Sequence, residues 1–134
     1  MADRSDPVHR FAGAAAAALD RVASAPAWGM RPVEQAETLV ELTVLAARVE
    51  ELRWRVLAAA DRNDLGTEDG ATSTAAWLSA RTRENRFRTN GDLRGARLLD
   101  QPLLETTRLA FAQVQLTVDQ VWVVLRCVED LPAD

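Results

Sequence analysis

The sequence predicts an all-α fold, a bundle of about six helices that includes one long helix over about residues 32–62. Three observations predict it: helix-start signals recur along the chain, apolar residues repeat at steps of three and four, and strand-like alternation is nearly missing. With 134 residues and 48% hydrophobic residues, the chain has the size and composition of one globular domain. We expect a single helical domain over residues 1–134, with an N-terminal helix and linker in 1–31 and a helical core in 32–132.

Proline and cap residues mark the first two helices. Asp6 followed by Pro7 is a typical N-cap and first helical position. A proline and a glycine interrupt the chain after residue 25, and Pro32 then opens a helix that we extend to about Arg62. At 1.5 Å per residue this second helix would span about 45 Å.

Four shorter helices are predicted after a turn-rich loop at residues 63–70, and each begins at a cap residue or a proline. Their predicted starts are Thr72 or Ser73, Thr89 or Asn90, Pro102, and Thr117. Residues 81–88 are expected to form a basic connector between the third and fourth helices. Thr117 and Gln120 form a capping-box pattern, and this last helix is expected to end near Leu131 and Pro132.

Composition excludes several classes of site. A single histidine, His9, and a single cysteine, Cys127, exclude a histidine metal site, a cysteine metal cluster and an intramolecular disulfide built from this chain alone. Glycine-rich phosphate loops and nucleophile elbows are absent from the sequence. We expect no catalysis, no metal, no cofactor and no small-molecule ligand. The apolar run at residues 14–19 is far shorter than a membrane span of about 20 residues, so we expect no membrane insertion and a cytoplasmic location.

The charge distribution supplies the first candidate site. The net charge of −4 argues against bulk-charge binding of nucleic acid, but residues 81–97 carry a local charge of +4. Arginines at this density can neutralise phosphates, although an arginine-rich stretch is more often a solvated face. The candidate nucleic-acid-binding residues are Arg81, Arg83, Arg86, Arg88, Arg94 and Arg97.

The long helix supplies the second candidate site. Its apolar residues alternate steps of three and four, which is the heptad spacing of a packed helix pair. This seam either packs against the first and sixth helices of the same chain, which we favour, or pairs two chains. The candidate interface residues are Leu42, Leu45, Val49, Leu52 and Val56.

Isolated aromatic and sulfur residues favour structural roles. Trp77 and Trp122 lie in apolar helical patterns and are expected in the core, whereas Trp54, between two arginines, is expected at a rim or interface. Trp28 is expected to pack down as an anchor, and Cys127 to be buried as a small hydrophobe.

Residues 70–82, which read Gly-Ala-Thr-Ser-Thr-Ala-Ala-Trp-Leu-Ser-Ala-Arg-Thr, carry a family resemblance. With the long helix before them and the Leu-Thr-Val-Asp-Gln and Leu-Pro segments after them, they resemble the DUF 222 or 13E12-repeat family of actinobacteria. The resemblance covers about residues 33–132 and departs from the family pattern at 83–90 and near residues 114–115. Many members continue into an HNH endonuclease domain, so it implies a nuclease-associated helical module.

Two functional hypotheses follow. The first is a non-catalytic accessory module that contacts nucleic-acid backbone, DNA foremost, through the six arginines. The alternative is a protein-interaction or homodimerisation module built on the long heptad-patterned helix, with no nucleic-acid contact.

Overall fold

The computed structural model describes residues 5–130, and every regular element in that range is a helix. The helices are α1 (Pro7–Val22), α2 (Pro32–Arg62), α3 (Thr74–Thr82), α4 (Arg86–Leu99), α5 (Glu105–Ala112) and α6 (Val118–Glu129), with 3₁₀ turns at Ala27–Gly29 and Pro102–Leu104. The all-α class and the long helix are confirmed. The predicted helix end at Leu131 and Pro132 lies outside the described residues.

Side-chain caps fix the helix starts where the sequence predicted them. Asp6 accepts a hydrogen bond from the Val8 amide at 2.8 Å, and Ser73 accepts one from the Ala76 amide at 3.0 Å. At the start of α6, the Gln120 amide donates to the Thr117 hydroxyl at 3.2 Å, while the Gln120 side chain accepts from the Thr117 amide at 2.9 Å. Each cap satisfies backbone N–H groups that have no partner inside the helix.

The connection between α3 and α4 is much shorter than the sequence predicted. Helix α4 begins at Arg86 because Asn85, and not Thr89 or Asn90, is its N-cap and accepts from the Phe87 amide at 2.7 Å. The buried Thr89 hydroxyl instead donates to the Arg86 carbonyl at 3.2 Å, inside the helix. Arg83 ends α3 in the left-handed region at φ 61°. The connector is therefore three residues, 83–85, and most of the arginine stretch is helical.

Residues 40–130 form a unit with an apolar core built around Trp54 of α2. Trp54 is only 1% exposed and meets the rings of Phe111 and Trp122 edge-on, at centroid distances of 5.7 and 5.6 Å. Gly95 of α4 lies so close that a Cβ there would stand 2.6 Å from the Trp54 ring. The prediction that Trp54 lies at a rim or interface is wrong. The core is completed by Leu57, Ala58, Ala75, Leu93, Ala96, Leu99, Leu104, Val121 and Leu125.

Residues 5–39 form a second unit, which contains α1, the first 3₁₀ turn and the start of α2. No residue in this range is buried, and Phe11 of α1 is among its exposed apolar side chains. The Gln35 side-chain amide donates to the Ala27 carbonyl at 3.3 Å, which ties the 3₁₀ turn to α2. Trp28 is 84% exposed, so the prediction that it packs down as an anchor is wrong.

Candidate interaction surfaces

The seam predicted on α2 is exposed. We call Leu42, Leu45, Val49, Leu52 and Val56 the heptad face. Leu42 is 55% and Val56 48% exposed, Leu45 and Val49 are also exposed, and Leu52 is half-buried. The favoured expectation that this face packs against the sixth helix of the same chain is wrong for residues 40–130.

A second stripe on α2 explains why the heptad face is left open. Glu51, Trp54, Leu57 and Ala58 are the buried residues of this helix. At about 100° per residue, Trp54 points about 140° away from Val49, so the two stripes lie on opposite sides of one helix. One side of α2 builds the core of residues 40–130, and the other presents a row of leucine and valine side chains to solvent.

Three of the six candidate arginines are held by the fold, and Arg97 of α4 is held most firmly. Its Nε and Nη2 donate to the two carboxylate oxygens of Asp61 at 2.6 and 2.8 Å. This bidentate pair lowers the pKa of Asp61 and raises that of Arg97. The guanidinium of Arg97 therefore joins α4 to the end of α2.

The Asp61–Arg97 pair gives a pH-dependent prediction. Because the pKa of Asp61 is lowered in the folded protein, its stabilisation is present above the unfolded pKa of about 4 and is lost as pH falls through the folded value. Asp61→Asn is expected to cost about 1 kcal/mol of unfolding free energy at pH 7. The cost should shrink steadily below about pH 4 in urea titrations. An equal cost at pH 7 and pH 3 would contradict this assignment.

Arg81 and Arg94 are each engaged by an acid and an aromatic ring. Arg81 lies 3.3 Å from the Asp69 carboxylate and 5.1 Å from the centroid of the Trp77 ring. Arg94 lies 3.6 Å from Glu129 and 5.4 Å from the ring of Trp122. Such cation–π and ion-pair contacts hold the guanidinium groups against the protein.

The other three arginines surround the turn between α3 and α4. Arg83, Arg86 and Arg88 are exposed and form no salt bridge with any other residue in 5–130. Phe87 lies between them and is 87% exposed. We call these four residues the arginine corner. A helix, a three-residue turn and a second helix is the arrangement of helix-turn-helix motifs, although the sequence predicted a longer connector.

Charged side chains are buried on α2 and α4, and the sequence did not predict their burial. Glu51 is 2% exposed, with its carboxylate 2.7 Å from Arg55 and 3.9 Å from Arg108. Asp92 pairs with Arg53; burial raises the pKa of this carboxyl, and Arg53 opposes the rise. The four-residue spacing of Glu51 and Arg55 allows their ion pair. No local pattern shows that the carboxylate is buried, because the helices that cover it are distant in sequence.

A polar cleft of about 420 Å³ adjoins these charges, and no sequence pattern indicated it. Its lining residues are Arg55, Arg62, Asp100, Gln101, Pro102, Glu105 and Arg108. Arg62 pairs with Asp100 across it. Both positive and negative side chains therefore line the cleft.

Other predicted features can be placed directly. Within residues 5–130, no three His, Cys, Asp or Glu side chains are grouped to hold a metal ion. No helix in the same range is long and apolar enough to cross a membrane. Cys127 is exposed, so the prediction of its burial is wrong, whereas Trp77 and Trp122 are both partly buried.

Comparisons of the chain with protein-family models, with curated proteins and with solved structures found no match.

Proposed function

We propose that this protein is a non-catalytic homodimerisation module whose interface is the heptad face of α2. The exposure of Leu42, Leu45, Val49 and Val56 in one row carries this proposal. Isolated apolar side chains are common on surfaces, but a contiguous row at heptad spacing is typical of a helix that pairs with another. Burying such a row against a second helix gains about 25 cal/mol for each Å² of apolar surface.

The distribution of charge supports dimerisation ahead of nucleic-acid binding. Of the six candidate arginines, Arg81, Arg94 and Arg97 already have acidic partners in the fold. The heptad face, by contrast, is left largely uncovered by residues 40–130. Half of the candidate arginines therefore already have partners within the fold, whereas most of the heptad face is exposed.

Hydrogen exchange at several protein concentrations tests the proposal. In a dimer the second copy covers residues 42–52, so the helix there must be released from its partner before its backbone amides can exchange with solvent. The protection of these amides from exchange should therefore rise with protein concentration. The amides of α1, a helix without any buried residue, should exchange by local opening at the same rate throughout, which makes them the internal control. Protection of residues 42–52 that does not change with concentration would contradict the proposal.

The arginine corner supports a second candidate function. Arg83, Arg86 and Arg88 are exposed and form no salt bridge within residues 5–130, and they lie at a helix–turn–helix corner, which suits contact with a nucleic-acid backbone. The resemblance to the 13E12-repeat family, with its nuclease association, favours DNA as the ligand. In this second candidate the protein is a cytoplasmic accessory module, and the other three arginines stabilise the fold.

The second candidate predicts a modest salt dependence. Three phosphate contacts should weaken duplex binding about fortyfold between 50 and 200 mM salt, where six would give roughly a thousandfold or more. Arg86→Glu with Arg88→Glu should abolish binding measured by fluorescence anisotropy. The charge-matched control, Arg21→Glu with Arg126→Glu, changes two exposed arginines elsewhere and should retain most of it. Equal loss in both double variants would contradict a site at the arginine corner.

A further inference from the structure

We infer that the two copies of α2 pair antiparallel, with Leu42 of one copy against Leu52 of the other and Leu45 against Val49. This inference rests on the proposed function, since it requires the heptad face to bind a second copy of itself. It adds the direction and the register of the pair, which exposure alone does not fix.

Charges beside the heptad face divide the helix into an acidic and a basic half. In the heptad notation a to g, Leu42, Val49 and Val56 occupy position a, and Leu45 and Leu52 occupy position d. The residue before each a position, called g, lies at the edge of the face, where ion pairs between helices form. In chain order these edge residues are Glu34, Glu41, Arg48, Arg55 and Arg62. The edge is therefore negative toward the N-terminus of α2 and positive toward its C-terminus.

A parallel pair cannot use this division. In a parallel pair each edge residue faces the residue that lies five positions further along the other helix, on the opposite edge of its face. For Glu41, Arg48 and Arg55, these facing residues are Ala46, Arg53 and Ala60. Arg48 would then face Arg53 of the second copy, twice in the dimer, and Glu41 would face an alanine. Two repulsive contacts and no attractive one disfavour that direction.

An antiparallel pair places the same edge against itself in reverse order. In the register stated above, Glu41 meets Arg55 of the second copy, twice in the dimer, and Arg48 meets its own equivalent once. The two attractive pairs outnumber the one repulsive pair. One heptad further out, Glu34 faces Arg62 of the other copy, so the outer charges are also of opposite sign.

Moving the register by one heptad in one direction sets Arg48 against Arg55, which replaces attraction with repulsion. Moving it in the other direction sets Glu41 against Arg48, but it also places Val49 against Thr38 and Leu52 against Gln35, so polar side chains enter the apolar layers.

The side chains that this pairing needs are accessible. Glu41 and Arg48 are exposed, and neither forms a salt bridge with any residue of the described chain. Arg55 contacts Glu51 at 2.7 Å, but about half of its side chain remains open to solvent. Between these charges, the facing pairs Leu42–Leu52 and Leu45–Val49 consist only of leucine and valine side chains.

Disulfide trapping tests direction and register together. In a Cys127→Ser background, Leu42→Cys and Leu52→Cys chains are made separately, mixed, allowed to exchange and oxidised. In the antiparallel pair residue 42 lies beside residue 52 of the other chain, while the two copies of residue 42 are about 15 Å apart, too far for a disulfide. The mixed disulfide should dominate, and mixing Leu42→Cys with Val123→Cys should give no such product.

The outcomes separate the inference from the proposed function. Disulfides between two Leu42→Cys chains, or a dimer by light scattering without the mixed disulfide, would overturn the antiparallel register and leave homodimerisation standing. A monomer at every concentration, without any disulfide, would overturn both.

A charge variant tests the direction without cysteine chemistry. Arg48→Glu replaces one like-charged contact by another in the antiparallel pair, so the dissociation constant should change by less than about threefold. In a parallel pair it would convert two repulsions with Arg53 into attractions and tighten the dimer about tenfold. Tightening of that size would overturn the inference.

Discussion

Replacing Trp54 by alanine is expected to lower the free energy of unfolding by about 4 kcal/mol. The indole is 1% exposed and packs edge-on against Phe111 and Trp122. Its N–H also donates to the Glu50 carboxylate at 3.0 Å. Its removal leaves a cavity between α2, α4, α5 and α6 and takes one of the two partners of that carboxylate away, since Arg53 still contacts Glu50 at 3.5 Å. Such a loss is a large part of the stability of about 5–15 kcal/mol that domains have.

Trp28→Ala is the matched control for this prediction. Trp28 is 84% exposed, so its loss should change stability by less than about 0.5 kcal/mol. Urea unfolding of both variants, followed by circular dichroism at one protein concentration, makes the comparison. A Trp54→Ala protein within about 1 kcal/mol of the original would contradict the core described above.

Replacing Val49 by glutamate is expected to weaken the dimer by at least a factor of about 100. Val49 lies in the middle of the heptad face, and the dimer would bury two introduced carboxylates against leucine and valine side chains. Burying an unpaired charge costs several kcal/mol, of which about 3 kcal/mol suffices for a hundredfold effect. The fold should be unaffected, because Val49 is exposed in the single chain.

Val123→Glu separates an interface effect from the effect of an added charge. Val123 is an exposed valine on α6, outside the heptad face, so its substitution should leave the dimer as tight as before. Sedimentation velocity over a concentration range gives the dissociation constant of each variant. Equal constants for Val49→Glu and the unchanged protein would show that the heptad face is not the interface.

Local signals in the sequence predicted the helices well, because caps act within three residues of the backbone that they satisfy. Ser73 and Thr117 cap the helices expected of them. The start of α4 was missed since α3 ends at Arg83, a left-handed residue that is not the glycine usual at such a position. Without that stop signal, the arginine stretch looked like one long connector.

The sequence could not decide which side of α2 is buried. The heptad face carries more leucine and valine than the opposite stripe, yet the opposite stripe forms the core. That choice depends on Trp54 meeting Phe111 and Trp122, which are more than fifty residues away along the chain. Periodicity finds an apolar stripe, but it does not say what covers it.

For the six candidate arginines, too, the sequence predicted what depends on neighbouring residues but not what depends on residues far away along the chain. Their density predicted a positive surface, and Arg83, Arg86 and Arg88 do lie exposed around one turn. Asp61 lies 36 residues before Arg97, so no local pattern revealed that pair. Only half of the candidate residues therefore remain available to an external anion.

The mass of the protein in solution tests the central claim most directly. Size-exclusion chromatography with light scattering, run over a series of loading concentrations, should give twice the chain mass of 14.7 kDa at the higher loadings. The mass should fall toward that of one chain on dilution, as a reversible dimer requires. A mass of one chain at concentrations up to about 1 mM would contradict the claim that the heptad face pairs two copies of this protein.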